Sequence, residues 1–577
     1  MATRTVANGG GNFNATGTWV EGVVPTAADA VVFTATSGAL NVNVASVCLS
    51  IDFTNYVNTI TFNGTLTVSG NVTLVAGFTQ AGANGIIINA NSTLTSNGVT
   101  WSRTFTTAPA LSTTITLTLS GNWTQAGATI FNSGGNATTY TTINSNSFIF
   151  GTGTYGVTNT ATTNVNGSAI MLISGSSGTV TFNSSTGVYQ LNFTVNTSGS
   201  VSFTGTFQYA NATFTYTAGT VVTTGSTLSI PYSASAQTIT FNTGSLVWNN
   251  VTFGSAGATI TCTLTSNLTW SGTLTLQNTL GFAGTGLLTP SNNTTTTLYF
   301  GTQGSNYNYS SVFPTTLNIK NLTIASSPYT VTFNGITTNI NGTINLASGI
   351  LTGTSTLNMV GTGNIQGNGN SYYIQNNITI NTSGTITFPS GNTFAYNTGT
   401  FTYTSGTVVT TGSSLYLFLT GTTTTFNTNG ITWNNVSLNN STMTFVLNST
   451  FTVGGTVYSI QNGTFTFSGT AGFVINNFTQ QYSSGFSMTL KAGNTYRITG
   501  GFYWATAYNL AHGTVKSDTA SSAAKLIFSL GSVCNISYMD FTDIDASGGR
   551  TINIFNGAAP VRCTNVRTYT DLQTIGI

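Results

Sequence analysis

Charge is what this chain lacks most. Between Asp52 and Lys491 it runs 438 residues with only two formally charged side chains, Arg103 and Lys320, and its single glutamate is Glu21. Acid–base, metal and phosphate chemistry all need titratable or ionic groups brought together, so most of the chain can support none of them. A net charge of +2 without a basic stripe gives no electrostatic footprint for nucleic acid, which is excluded as a partner. The scarcity of Lys, Glu and Arg also removes the usual helix formers. Only eight prolines occur, with no charged hinge, so strings of domains joined by linkers are not expected. No apolar run approaches the roughly 20 residues of a membrane-spanning helix, which argues against membrane insertion. The start, Met1-Ala2-Thr3-Arg4-Thr5-Val6, has no apolar signal region, so synthesis in the cytoplasm is expected. The four cysteines, Cys48, Cys262, Cys534 and Cys563, show no C-x-x-C spacing. Zinc is therefore not expected and buried free thiols are. A bond between Cys534 and Cys563 on neighbouring coils is a further option, which cytoplasmic synthesis makes secondary.

What remains is Thr, Asn, Gly and Ser interleaved with single apolar residues, as in Thr59-Ile60-Thr61-Phe62 and Leu66-Thr67-Val68. Hydrophobic residues make up 39% of the chain and aromatics 11%, enough to build a core and to exclude disorder. Their recurrence at every second position predicts short strands with one apolar face, and almost no α-helix.

Internal repetition decides how those strands are organised. Residues 213–226 read TFTYTAGTVVTTGS and residues 400–413 read TFTYTSGTVVTTGS, differing at one position in 14. FTVNTSGSVSF at 193–203 matches ITINTSGTITF at 378–388, and TFNTGSLVWNNV at 240–251 matches TFNTNGITWNNV at 425–436. The offsets are 187, 185 and 185 residues, the mark of a tandem duplication. Weaker echoes, such as Asn97-Gly98-Val99-Thr100-Trp101 against Asn429-Gly430-Ile431-Thr432-Trp433, imply a smaller underlying unit. Strands between Gly, Asn and Ser turns, with no helical crossover, stack when each coil lies on the last. The expected fold is all-β, a β-solenoid of the right-handed parallel β-helix kind, with about 20 to 25 residues per coil. Antiparallel sandwiches are the alternative, because the turn spacing fits them equally. The absence of linkers and of charge favours the solenoid, since like charges stacked in register repel while Thr and Asn can hydrogen-bond.

Three regions are expected: 1–52 as the N-terminal cap and first coils, 53–484 as a neutral shaft holding the duplication, and 485–577 as a charged cap or attachment region. Twelve of the 18 charged residues fall between Lys491 and Asp571. Asp540, Asp543 and Asp545 form the only concentration of carboxylates. On a strand Asp543 and Asp545 would share a face, which is the raw material of a glycan-cleaving acid pair or a calcium site. The plainer reading, preferred here, is a charged turn paired with Arg550. His512 has no Cys or Asp beside it in sequence and reads as a polar surface residue. No residue is assigned a catalytic, cofactor-binding or metal-binding role.

The opening segment Gly11-Asn12-Phe13-Asn14, Thr18-Trp19, Gly22-Val23-Val24-Pro25 and Asp29 resembles a motif of β-helical proteins of bacteriophages and of bacterial surfaces. There an aromatic pair, a Pro and an Asp begin the first coil. The resemblance implies a β-helix in a virion or surface setting and carries over no catalytic residue. Taken with the composition, it leads us to expect a structural virion protein of a tailed bacteriophage, a fibre, spike or capsid-surface decoration. The expected partners are other virion proteins, host cell-surface glycan and further copies of the chain, a trimer being favoured. The alternatives are a glycan depolymerase and a bacterial surface adhesin or filament subunit. Outward Thr-x-Thr ladders such as Thr261-Cys262-Thr263 also suit ice binding, against which irregular coil lengths argue.

Overall fold

In the computed structural model of the chain, the residues described are 1–110, 113–131, 140–151, 153–159, 164–175, 179–184, 187–231, 236–254, 259–277, 280–302, 306–369, 371–418, 421–439, 442–459, 463–480, 486–504 and 512–569. They form two compact units, Met1–Ser291 and Asn292–Ile577. Both are built of short strands. The only helical element among the described residues is one 3-10 turn at Thr16–Thr18.

The strand ladders are parallel and each strand lies on one from the previous coil, so the fold is a β-solenoid and not a set of antiparallel sandwiches. Period-two alternation sends one set of side chains inward, and stacking then lines them up from coil to coil. In the first unit Val31, Ile51, Val72, Leu94 and Leu119 are successive register partners. In the second, Met443, Phe465, Met488, Val515 and Phe541 are. All ten side chains are at most 1% exposed, and each contributes about 1.5–3 kcal/mol of burial. The second row passes residue 485 without a break, so the charged region stacks on the neutral coils before it.

The duplication is reproduced in three dimensions, one copy in each unit. Thr213–Val222 and Thr400–Val409 have the same pattern of buried and exposed positions. Trp248 packs 5.0 Å from Phe203 and 5.6 Å from Phe214, and Trp433 packs 5.1 Å from Phe388 and 5.4 Å from Phe401. Tyr216 Oη donates to Gly219 O at 2.8 Å, as Tyr403 Oη does to Gly406 O at 2.7 Å. These glycines are required. Gly219 sits at φ +121° and Gly406 at φ +114°, where a Cβ would come within 3.0 Å of Thr197 or Thr382.

The abundance of asparagine has a structural cause. At turns, an Asn carboxamide oxygen accepts the backbone N–H of the following coil: Asn71 from Thr93 at 2.9 Å, Asn91 from Thr116 at 2.8 Å, Asn250 from Thr273 at 2.8 Å. The duplicate keeps this latch, with Asn192 to Thr213 at 3.0 Å matched by Asn377 to Thr400 at 2.9 Å. Elsewhere Asn amides join in rows, Asn63 donating to Asn41 and Asn41 to Asn12, and Asn358 donating to Asn339 and Asn339 to Asn318. An amide both donates and accepts, so it can repeat indefinitely along a stack, as a carboxylate cannot.

Candidate functional site

Ion pairs of the described residues lie at the two ends of the sequence. At the N-terminal end the opening motif lies in the first coils. Phe13 and Trp19 meet edge to face at 4.9 Å, and Trp19 Nε1 donates to Phe13 O at 2.9 Å. Pro25 and Asp29 are also buried. Asp29 accepts from Thr26 N and Thr26 Oγ1, and lies 3.4 Å from Arg4 Nε. The Thr26 backbone bond, with Arg4, outweighs burial and holds the carboxyl below its ordinary range. Burial works against ionising Glu21, yet the Thr5 N–H at 2.8 Å and the Arg4 charge bring it below its ordinary range too.

The carboxylate cluster after residue 485 departs from the sequence expectation in three ways. First, Asp543 and Asp545 do not share a face. Asp543 has a left-handed backbone, φ 55°, between the strands Met539–Thr542 and Ile544–Asp545. That turn resets the alternation, so Asp543 is 2% exposed while Asp545 stacks on Lys525 of the coil before. Second, the partner of Asp543 is not Arg550. Arg562 forks onto it, Nε to Oδ1 at 2.6 Å and Nη2 to Oδ2 at 2.7 Å, while Arg550 Nη1 donates to Ser532 O at 2.7 Å. Third, His512 does have an acidic neighbour: its Nδ1 lies 3.0 Å from Asp540 Oδ1, which also accepts from Ala558 N at 2.7 Å.

Both oxygens of Asp543 are therefore committed to a guanidinium, and the Arg562 bonds hold its carboxyl below the ordinary range. The Ser547 hydroxyl and N–H lower Asp545 in the same way. Such carboxylates stay ionised, Asp543 tying its coil to the next through Arg562 and Asp545 closing a local turn at Ser547; they are not poised to deliver a proton. Among the described residues no three His, Cys, Asp or Glu side chains converge as a metal ion would require.

The thiols are free. Cys534 Sγ donates to Thr551 O at 3.0 Å, whereas Cys563 lies against the Ile544 N–H, so the two sit in different rows of the stack and do not pair. Burial pushes the Cys48 thiol up to about 12 and Cys262 higher still, leaving both inert. Trp504 and the residues just before His512 lie outside what is described of side chains here.

The long neutral stretch presents hydroxyls and amides in place of charge. An open groove of about 650 Å³ lies on the first copy of the duplication, lined among others by Ser174, Asn196, Thr197, Ser198, Gly219 and Thr220. A second, of about 420 Å³, lies on the second copy beside Val409, Thr410, Thr432 and Asn434. Composition gave no means of locating these surfaces. The two grooves are lined by non-corresponding residues of the two copies.

The fold and its surface define a class, a neutral β-solenoid with its ion pairs gathered in the first and last coils of the sequence. No protein-family model, no curated protein and no solved structure matches the chain.

Proposed function

We propose that this chain is a structural, non-enzymatic virion protein of a tailed bacteriophage, a fibre, spike or capsid-surface decoration with a role in host-surface adhesion. The observation that carries this reading is the division of chemistry along the sequence. Hundreds of residues of stacked coil carry two charged side chains, Arg103 and Lys320, among hydroxyl and amide groups, while the ion pairs sit at the two ends. A shaft has to be inert and repetitive. Its attachment needs directed contacts from Arg, Asp and aromatic groups, the kinds found in the terminal coils. The edge-to-face Phe13–Trp19 pair and the tying of Asp29 to Thr26 suit the likeness to phage and surface β-helices, and further copies of the chain, in a trimer, are the partners that suit a fibre.

Mass spectrometry of gradient-purified phage particles tests the reading. Peptides of this chain should co-sediment with the capsid proteins. Their recovery only from the bacterial envelope would favour a surface adhesin. Release of oligosaccharide from host polysaccharide by the wild type, lost in Asp543→Asn/Asp545→Asn, would establish a depolymerase.

A further inference from the structure

A duplication that serves only to lengthen a shaft should keep its core and let its surface drift. This one does the reverse in one place. The buried positions Phe193, Val195 and Val201 have become Ile378, Ile380 and Ile386, so the copies have had time to diverge. Yet the exposed residues of the strand above are retained but for Ala218, which is Ser405 in the second copy: Thr217, Thr220, Val222 and Thr224 stand again as Thr404, Thr407, Val409 and Thr411. Val222 is 41% exposed and Val409 37%, positions where packing does not dictate a valine.

The retained residues surround one local geometry. In each copy the register shifts at an asparagine, Asn196 or Asn381, which pairs with Ala218 or Ser405 on the next coil. Such a shift bends a sheet locally, and in the first copy the open groove of about 650 Å³ lies against it. Asn196, Ser198 and Thr220 project there, as do Asn381, Ser383 and Thr407. A half-buried tyrosine flanks each bend, its hydroxyl tied to the glycine carbonyl and its ring laid beside the following coil, Tyr216 near Gly244 and Tyr403 near Gly430.

We infer that these two bends are equivalent binding sites for a neutral glycan. Amide and hydroxyl groups beside a fixed aromatic face match the alternating hydroxyl and C–H surfaces of a sugar ring. The absence of charged residues from both bends leaves nothing to favour an acidic or basic ligand. The inference rests on the adhesive part of the proposed function and names the residues that would perform it.

Affinity electrophoresis of the full-length chain through gels containing dextran, mannan or galactan, with dextran sulfate for comparison, is the test. At least one neutral polymer should retard the protein, and dextran sulfate should do so no more strongly. Titration with fragments of the retarding polymer should give two sites per chain. Asn196→Ala/Thr220→Ala should remove one site and leave the other's affinity unchanged, and adding Asn381→Ala/Thr407→Ala should remove both. Ser198→Ala/Ser383→Ala, with smaller truncations, should weaken both sites while leaving the melting curve unaltered. No retardation by any neutral polymer, a single site in the wild type, or full binding by the four-residue variant would overturn the inference. So would dissociation of an oligomer by that variant, which would make the bends a contact between copies. Because binding is read on the purified chain and incorporation on particles, failure of one leaves the other standing or falling by itself.

Discussion

If neutrality is what permits this stack, then charge placed in register should break it in a predictable amount. The row Asn318, Asn339, Asn358 is the place to try, with Asn358 Nδ2 donating to Asn339 Oδ1 at 2.9 Å. In Asn339→Asp/Asn358→Asp two carboxylates would face one another across a coil spacing of about 4.8 Å. Their repulsion is about 3.5 kcal/mol at an effective dielectric constant near 20, and about 0.9 kcal/mol if water screens it fully. Loss of the amide–amide bonds adds about 1 kcal/mol. A destabilisation of roughly 2–4.5 kcal/mol at pH 7 follows, measurable by urea or thermal unfolding. The repulsion raises the folded pKa of the pair above the unfolded value. The electrostatic penalty is therefore complete above that raised value and disappears as pH falls below the ordinary carboxylate range, near pH 4. Asn339→Ala/Asn358→Ala, which loses the bonds alone, should show no such recovery. Equal stability of the Asp and Ala variants at pH 7, or a penalty in the Asp variant that persists unchanged at pH 3, would refute the argument.

Other outcomes follow from the same packing. Trp433→Ala and Trp248→Ala, emptying equivalent aromatic clusters, should each cost about 3–5 kcal/mol and agree with each other within about 1 kcal/mol by chemical denaturation, since non-equivalent packing would separate them. Glu21, Asp29, Asp518 and Asp543 all have lowered folded pKa values, so they stabilise above the ordinary carboxylate range and that stability is lost as pH falls through the lowered values. Hydrogen exchange should therefore rise below about pH 4 in peptides from residues 1–52 and 512–569 before it rises in the carboxylate-free coils between. In native protein a maleimide should label Cys563 and spare the buried Cys48 and Cys262, which should react only after denaturation.

The fold was legible because it follows from two local signals, apolar residues at every second position and a repeat long enough to fix a stacking unit. The candidate residues were less so, for a physical reason. Side-chain partners in a solenoid meet one coil apart, so that Asn358 and Asn339 bond across 19 residues and His512 and Asp540 across 28. Arg550 stands near Asp543 in sequence, but Arg562, 19 residues on, is the residue above it. His512 looks isolated until Asp540, 28 residues away, arrives beside it. Strand parity failed at Asp543 because one left-handed residue resets the alternation, and nothing in Thr542-Asp543-Ile544 announces that turn. The Asn latches were readable in principle, as Asn followed one coil later by Thr, once the coil length was known.

The central claim is that the coils are modular, each resting on the last through the same register, and the duplication allows it to be tested in one step. Thr213 and Thr400 occupy equivalent positions, each latched by an asparagine from the coil before. Deleting residues 214–400 therefore joins Thr213 to Phe401 and lays Phe401 on Phe193, where Phe214 lay before. Thermal melting of the shortened chain, followed by circular dichroism, should give the full-length protein's helix-free β signal per residue and a cooperative transition. A shortened chain with no cooperative melt, or with its β signal lost, would contradict the modular solenoid.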